Sequence, residues 1–376
     1  MKIRSDALEY VKEKQTELIE LIQQLCSIAS FSHHEQKKAA FIQNWFKQYG
    51  IETKIDEVYN VILEIQAEQK ENLVVFAAHI DTVFPDEIGF DCIEKEGFLY
   101  APGVGDDTAN VAELMLMARY IVQNKLNCNS GCLIVFNSGE EGLGNLKGSR
   151  YLFESYKDQI QEFYSFDGTY QSIVNKAVGS SRYQVTVKTE GGHSYGAFGN
   201  KNAIACAASL ISVLYDYKVP SRGVSTYNVG VIEGGTSVNT IAQNAEFTFE
   251  YRSDHHEDLL EMNQFFHQCL ETYRSMGCEI ELKLLGERPC MGNVNPTFME
   301  KSLNHAVEVI HHFTASTPKI KSGSTDCNIA YFHGVAGCCF GGYLGQGAHT
   351  REEKVSIDSL VTGMQIIATF MLAYFD

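Results

Sequence analysis

Four short runs, Leu73 to Ile80, Cys132 to Phe136, Phe163 to Phe166 and Ala336 to Phe340, are almost continuously apolar. A strand buried on both faces has this composition, and sheets covered by helices on both faces are mostly parallel. Parallel neighbours need a crossover connection, and between the first two runs Val111, Leu114, Ala118 and Ile121 recur at helical spacing. The runs therefore predict an α/β fold built on a mostly parallel sheet. Near the start, Ser5 is placed to cap a first helix carrying Leu18, Ile22 and Leu25 on one face. Phe41 and Trp45 mark a second helix, which Gly50 ends.

The pattern changes near residue 180. Half-polar strands such as Tyr183-Gln184-Val185-Thr186-Val187-Lys188 imply a sheet solvated on one face. Strand 183–189, helix 202–217, strands 226–232 and 245–251, helix 257–275 and strand 278–285 follow the ferredoxin-like βαββαβ order. After Pro289 the chain returns to long helices and the last apolar run. The smaller domain thus reads as an insertion at 180–288, between the two parts of the larger domain at 1–179 and 289–376. A length of 376 residues favours two domains over one large doubly wound domain.

Charge and cysteine content narrow the function. With 30 basic and 47 acidic residues the net charge is −17, which repels polyanions and argues against nucleic acid or an anionic membrane as a partner. The 11 cysteines, irregularly spaced and including the adjacent Cys338 and Cys339, read as buried thiols of a reducing compartment rather than a disulfide framework. The opening Met1-Lys2-Ile3-Arg4-Ser5-Asp6 lacks the apolar stretch of a signal peptide, and no run has the length of a membrane span. A cytoplasmic protein is expected.

In an open parallel sheet, ligands bind beyond the carboxyl ends of the strands. The first run leads into Ala78-His79-Ile80-Asp81, the second into Asn137-Ser138-Gly139-Glu140-Glu141-Gly142 and the third into Phe166-Asp167-Gly168. The crossover helix opens with Gly103-Val104-Gly105-Asp106-Asp107, and the last run leads to His349. Carboxylates crowded on one rim resist ionisation unless cations accompany them. Carboxylate and imidazole ligands suit zinc, with manganese and cobalt as alternatives. Two ions about 3.5–4 Å apart, sharing a bridging carboxylate and activating one water, need two histidines, a bridge and two further acids. His79, Asp106, Asp167, Glu141 and His349 supply that inventory. Asp81 is spaced to orient His79 through its free nitrogen, and Glu140, beside Glu141, is left as a general base.

Taken together, Ala78-His79-Ile80-Asp81-Thr82-Val83, Gly105-Asp106-Asp107, Gly139-Glu140-Glu141-Gly142, Asp167-Gly168 and Gly347-Ala348-His349 resemble the two-zinc exopeptidases and deacylases. That family includes peptidase T, glutamate carboxypeptidase, aminoacylase and the desuccinylases. The resemblance extends over nearly the whole chain, and the Gly139 to Asn145 stretch brings it nearest to peptidase T-type metallopeptidases. It implies His79 and Asp167 on one metal, Glu141 and His349 on the other, Asp106 bridging, Glu140 as base and a cis peptide between Asp106 and Asp107. It also implies that the insertion is a dimerisation domain. His193, in Gly191-Gly192-His193-Ser194, would complete the partner's site and stabilise an oxyanion, while Asn239 and Arg252 would bind substrate; the alternatives are that His193 caps a turn in its own domain and that Arg252 forms an ion pair with a strand neighbour. Thr108 departs from the pattern, since many relatives carry lysine there.

Other motifs are weaker. Gly192-His193-Ser194-Tyr195-Gly196 fits the nucleophile elbow of serine hydrolases, but the preceding strand is half-polar where an elbow strand is central and apolar. Gly103-Val104-Gly105-Asp106-Asp107-Thr108 lacks the third glycine of a dinucleotide fingerprint. The pairs His33-His34, His255-His256 and His311-His312 read as surface or helix-end residues. A metal-stabilised scaffold or amino-acid-binding module would not need a base, whereas this chain keeps Glu140 and His193. The expected activity is metal-dependent hydrolysis of an amide bond in a short peptide, by a homodimer holding two divalent ions per chain. An N-acyl amino acid is the alternative substrate.

Overall fold

A computed structural model describes residues 3–66, 71–128 and 130–376; Met1 and Lys2 of the opening segment lie outside them. The chain forms two compact units, one of residues 1–177 with 292–376 and one of residues 178–291.

The first unit holds an eight-stranded sheet in the order Lys54–Ile55, Val61–Ile65, Cys132–Asn137, Leu73–His79, Ile160–Ser165, Ala336–Cys339, Ser172–Ala177, Lys319–Gly323. Its centre is parallel: Leu73–His79 pairs with both Cys132–Asn137 and Ile160–Ser165, and the latter pairs with Ala336–Cys339. Val61–Ile65 joins antiparallel at one side. Every residue of Leu73–His79 and Cys132–Asn137 is buried, as the apolar runs require. The third strand begins earlier than its apolar run and stops at Ser165, leaving Phe166 just beyond it. Helix Asn110–Gln123 is the crossover and packs on the first two central strands. From helix Ile357–Leu372, Phe370 meets Phe76, Tyr164, Phe166 and Phe340 edge-on, which fixes the centre of the core.

Ser5 does not cap the first helix. Arg4 occupies the cap position without a side-chain bond, and Ser5 is the first helical residue. The expected single helix is two, Ser5–Glu13 and Gln15–Cys26, broken at Lys14. The break lets Ala7 and Val11 of one segment, and Leu18, Leu21, Ile22 and Leu25 of the other, all reach the core. Gly50 does end helix Gln36–Gln48: at φ 71° its N–H donates to the Lys47 carbonyl while Ile51 N–H reaches Phe46.

The second unit is a four-stranded antiparallel sheet ordered Ser225–Gly234, Asn244–Ser253, Gly179–Lys188, Glu279–Arg288, with helices Ala203–Tyr215 and His256–Ser275. This is the ferredoxin-like arrangement. Burial alternates along Asn244–Ser253, where Ala245, Phe247, Phe249 and Tyr251 face the helices. Asn202 caps the first helix by accepting from the N–H groups of Ile204 and Ala205. Among the described residues no helix is long and apolar enough to cross a membrane. All 11 cysteines are free, and all but Cys92 and Cys206 are buried.

Candidate metal centre

Because the central strands run parallel, their carboxyl ends share one rim, and the polar residues excluded from the strands collect in the loops beyond it. His79 is the last residue of its strand; Glu140 and Glu141 lie just past the strand that ends at Asn137, and Asp167 just past the one that ends at Ser165. Asp106 lies at the irregular start of the crossover helix, joined to Asp107 by a cis peptide.

Asp106 is the hub. Its Oδ1 lies 3.0 Å from His79 Nε2 and its Oδ2 lies 3.2 Å from His349 Nε2. His349 Nε2 is also 3.1 Å from Glu141 Oε1. Three trios bring potential ligand atoms within 4.8 Å of one another: Asp106, Glu141 and His349; His79, Glu140 and Glu141; and His79, Asp107 and Asp167. All five expected ligands and Glu140 are thus in one cluster. Burial first, and then the Asp106 carboxylate, push the Asp167 carboxyl up to about 7. Hydrogen bonds to Asp106 and Glu141 push His349 up to about 10. Neighbouring carboxylates contribute to both shifts, and a rim where carboxylates outnumber imidazoles fits divalent cations.

Asp81 faces the free nitrogen of His79, through its carbonyl at 3.1 Å from Nδ1 and its carboxylate at 3.5 Å. The same carboxylate also accepts from the N–H groups of Glu140 at 2.9 Å and Glu141 at 3.0 Å and from the Ser32 hydroxyl at 2.6 Å. Asp81 therefore fixes the loop that carries the expected base. Asp107 similarly accepts the His79 N–H at 3.0 Å and an Asn110 N–H at 2.6 Å.

Sequence reasoning missed Ser32, Glu353 and Lys38. Glu353 bonds the backbone of Asp106, while Lys38 is 3% exposed, its ammonium disfavoured first by burial and favoured by the nearby Asp81 and Asp107. The signal of Lys38 in the sequence was a lysine on the apolar face of an amphipathic helix, among Ala39, Ile42, Trp45 and Phe46. Thr108 is itself buried and carries no charge.

In the second unit, a two-stranded ladder pairs His193 with Thr240 and so brings His193 beside Asn239, whose carbonyl accepts from Ser194 N–H at 3.0 Å. The His193 Nδ1 accepts from Tyr195 N–H at 3.2 Å and Gly196 N–H at 3.3 Å, which leaves the ring proton on Nε2. Gly192–His193 is not a central parallel strand, so the elbow reading fails. Arg252 forms a two-pronged ion pair with Glu250, at 2.9 Å through Nε and 3.0 Å through a terminal nitrogen.

The profile of peptidase family M20/M25/M40 matches residues 75–373. The chain is 25% identical over 347 residues to succinyl-diaminopimelate desuccinylase of Nautilia profundicola, covering 86% of this chain and 90% of that protein. A tripeptidase from Staphylococcus aureus matches with a TM-score of 0.76 at 21% identity, over 95% of this chain and 98% of that one. The YXEP protein of Bacillus subtilis, a dinuclear metal binding peptidase, matches with a TM-score of 0.68 at 19% identity, over 96% and 98% of the two chains.

Proposed function

The chain belongs to peptidase family M20/M25/M40, and from that premise we propose that it is an exopeptidase that trims short peptides, of the di- or tripeptidase type, at a two-metal centre. The observation that carries this reading is the Asp106 carboxylate, which offers one oxygen to each of two imidazoles, His79 and His349. His79 and Asp167 would hold one ion, Glu141 and His349 the other, with Asp106 shared. Bound zinc, or manganese or cobalt, supplies Lewis-acid polarisation of a carbonyl and a water nucleophile at neutral pH.

The protein's own residues do the rest. Glu140, 6% exposed and fixed at its N–H by Asp81, takes the proton of the attacking water and returns it to the leaving amine. Asp81 holds Glu140 and Glu141 in register. In a two-fold homodimer, the partner subunit's His193 donates from Nε2 to the developing oxyanion, an assignment supported by its Nδ1 acting as an acceptor. Asn239 binds the substrate, and Arg252 takes a substrate carboxylate in exchange for Glu250. The 11 free thiols support a cytoplasmic location.

An N-acyl amino acid is the second reading, favoured by the desuccinylase relative. The zinc- and manganese-loaded protein should be incubated with di- and tripeptides and N-acyl amino acids, and the products identified by mass. Cleavage of tripeptides is expected; release of acyl groups alone selects the second reading. Elemental analysis should find two divalent ions per chain, and a chelator should abolish turnover. Full activity without metal overturns both readings.

A further inference from the structure

His349 is the most exposed member of the cluster, with its side chain 56% accessible, and it rides on a loop. Four residues later, Glu353 is 2% exposed. Its carboxylate accepts three backbone N–H groups: Gly103 at 2.6 Å through Oε2, and Gly105 at 3.1 Å and Asp106 at 2.8 Å through Oε1. These amides lie at the opening of the crossover helix, where backbone N–H groups have no partner within the helix. A residue about 250 positions away in sequence supplies the missing acceptor.

From this geometry we propose that Glu353 is a positioning residue that sets the Asp106 carboxylate against His349, a role that rests on reading this rim as a metal centre. The turn between the two residues is short and bonded: Thr350 donates to the Gly347 carbonyl through both its N–H and its hydroxyl, and Glu353 N–H reaches the Thr350 carbonyl. Beyond it, Lys354–Ser356 pairs with Phe98–Tyr100, so both ends of the Glu353 segment are fixed. Because Asp106 gives one oxygen to each imidazole, displacing its backbone disturbs both ion positions at once. Gly105 belongs to the same device. A Cβ there would come within 2.6 Å of the Tyr343 hydroxyl and 2.8 Å of Glu353 Oε1, so only glycine lets the carboxylate close on the amides.

The construction repeats around the rim. Asp107, next to Asp106, holds the His79 N–H, and Asp81, two residues after His79, holds the Glu140 and Glu141 N–H groups. Three of the loops thus grip the backbone of another through a buried carboxylate. Glu353 is the grip that ties in the exposed His349 loop.

Glu353→Gln keeps the side chain's size but turns one oxygen into a donor facing other donors. Zinc affinity of the folded, metal-stripped protein should be measured by competition with a chromogenic chelator, with urea unfolding of the same samples alongside. The variant is expected to bind zinc roughly 10–100-fold more weakly, with kcat for a tripeptide falling more than KM rises. The neighbouring, exposed Glu352→Gln should bind zinc as wild type does. If Glu353→Gln fails to fold, Gly105→Ala displaces the carboxylate while leaving it in place chemically, and the same loss of affinity is expected. Where both variants fold, their combination should lose little beyond either alone. Wild-type zinc affinity in a folded Glu353→Gln or Gly105→Ala protein, even with a lowered unfolding midpoint, reduces Glu353 to a purely structural part and overturns the proposal. A wild-type protein that binds neither zinc nor manganese overturns the metal reading itself, which separates the two failures.

Discussion

The two sheets handle polar side chains in opposite ways. In the larger unit, Leu73–His79 and Cys132–Asn137 are buried at every position, so their strands have no room for charge before the last residue. Polar groups collect past the strand ends, where Asp81 and Asp107 are 0% and 1% exposed and find partners far away in sequence. In the smaller unit, every second residue of Asn244–Ser253, and of Gly179–Lys188 from Ser181 onward, is less buried, and polar partners sit directly across the ladder, as in Arg182 with Glu250 and Thr186 with Glu246. A doubly buried sheet concentrates its polar chemistry at one rim, while a half-solvated sheet spreads it over a face.

The sharpest way to break that contrast is to remove chemistry from each unit in turn. Glu140→Gln, nearly isosteric but unable to accept a proton, should lower turnover by roughly 10²–10⁴-fold with zinc content unchanged. Glu141→Gln should instead release metal. Near-normal catalysis by Glu140→Gln would remove the base from the rim. The smaller unit should matter next most: His193→Ala is expected to cost roughly 10²–10³-fold in kcat, the scale of one oxyanion donor. When His193→Ala and Glu140→Gln chains are mixed and allowed to exchange, each hybrid dimer should regain at most half of the wild-type activity. Verified hybrids that stay inactive place His193 within its own chain's chemistry.

The rim was legible because each expected ligand lies at or beyond the end of an apolar run or opens the crossover helix, so position in sequence and position in the sheet coincide. The cis peptide at Asp106 and Asp107, which the resemblance implied, is present as well. The ferredoxin-like unit was legible from alternation alone. What escaped was every feature defined by a distant contact. Glu353 is one acid among several near the carboxyl end until the amides of Gly103, Gly105 and Asp106 converge on it. Ser32 is one serine in a loop until it meets Asp81. The break at Lys14 carries no glycine or proline to announce it, because it is set by what the two helical segments pack against. Arg252, by contrast, admitted from sequence both a substrate carboxylate and an ion pair with a strand neighbour, and Glu250 two residues away is such a neighbour.

The smallest expected effect compares one ion pair from each unit. In the larger unit, Arg119 is 3% exposed and binds Glu17 through two nitrogens, at 2.5 and 2.9 Å. Arg119 first, with help from Lys14, holds the Glu17 carboxyl at about 2, below its ordinary 4.5. A folded-state value below the unfolded one stabilises the fold in full above about pH 4.5, and that stabilisation is lost as the pH falls towards 2. Glu17→Gln should therefore cost roughly 1–3 kcal/mol at pH 7, with the gap to wild type narrowing from pH 5 to pH 3. In the smaller unit, the Arg252 side chain is 38% exposed and its partner Glu250, which also pairs with Arg182, is 28% exposed. Arg252→Ala, which leaves the Arg182 pair with Glu250 in place, and likewise Glu250→Gln, should therefore cost only roughly 0.2–1 kcal/mol per exposed pair. The single tryptophan, Trp45, lies in the larger unit, 5.1 Å from the Arg119 guanidinium, and its fluorescence during urea unfolding of metal-free protein reports that unit. Glu17→Gln should shift the Trp45 transition and Glu250→Gln should leave it in place. An equal shift by both would mean that the two units unfold as one cooperative body, and a difference between their sheets would then not translate into separate stabilities.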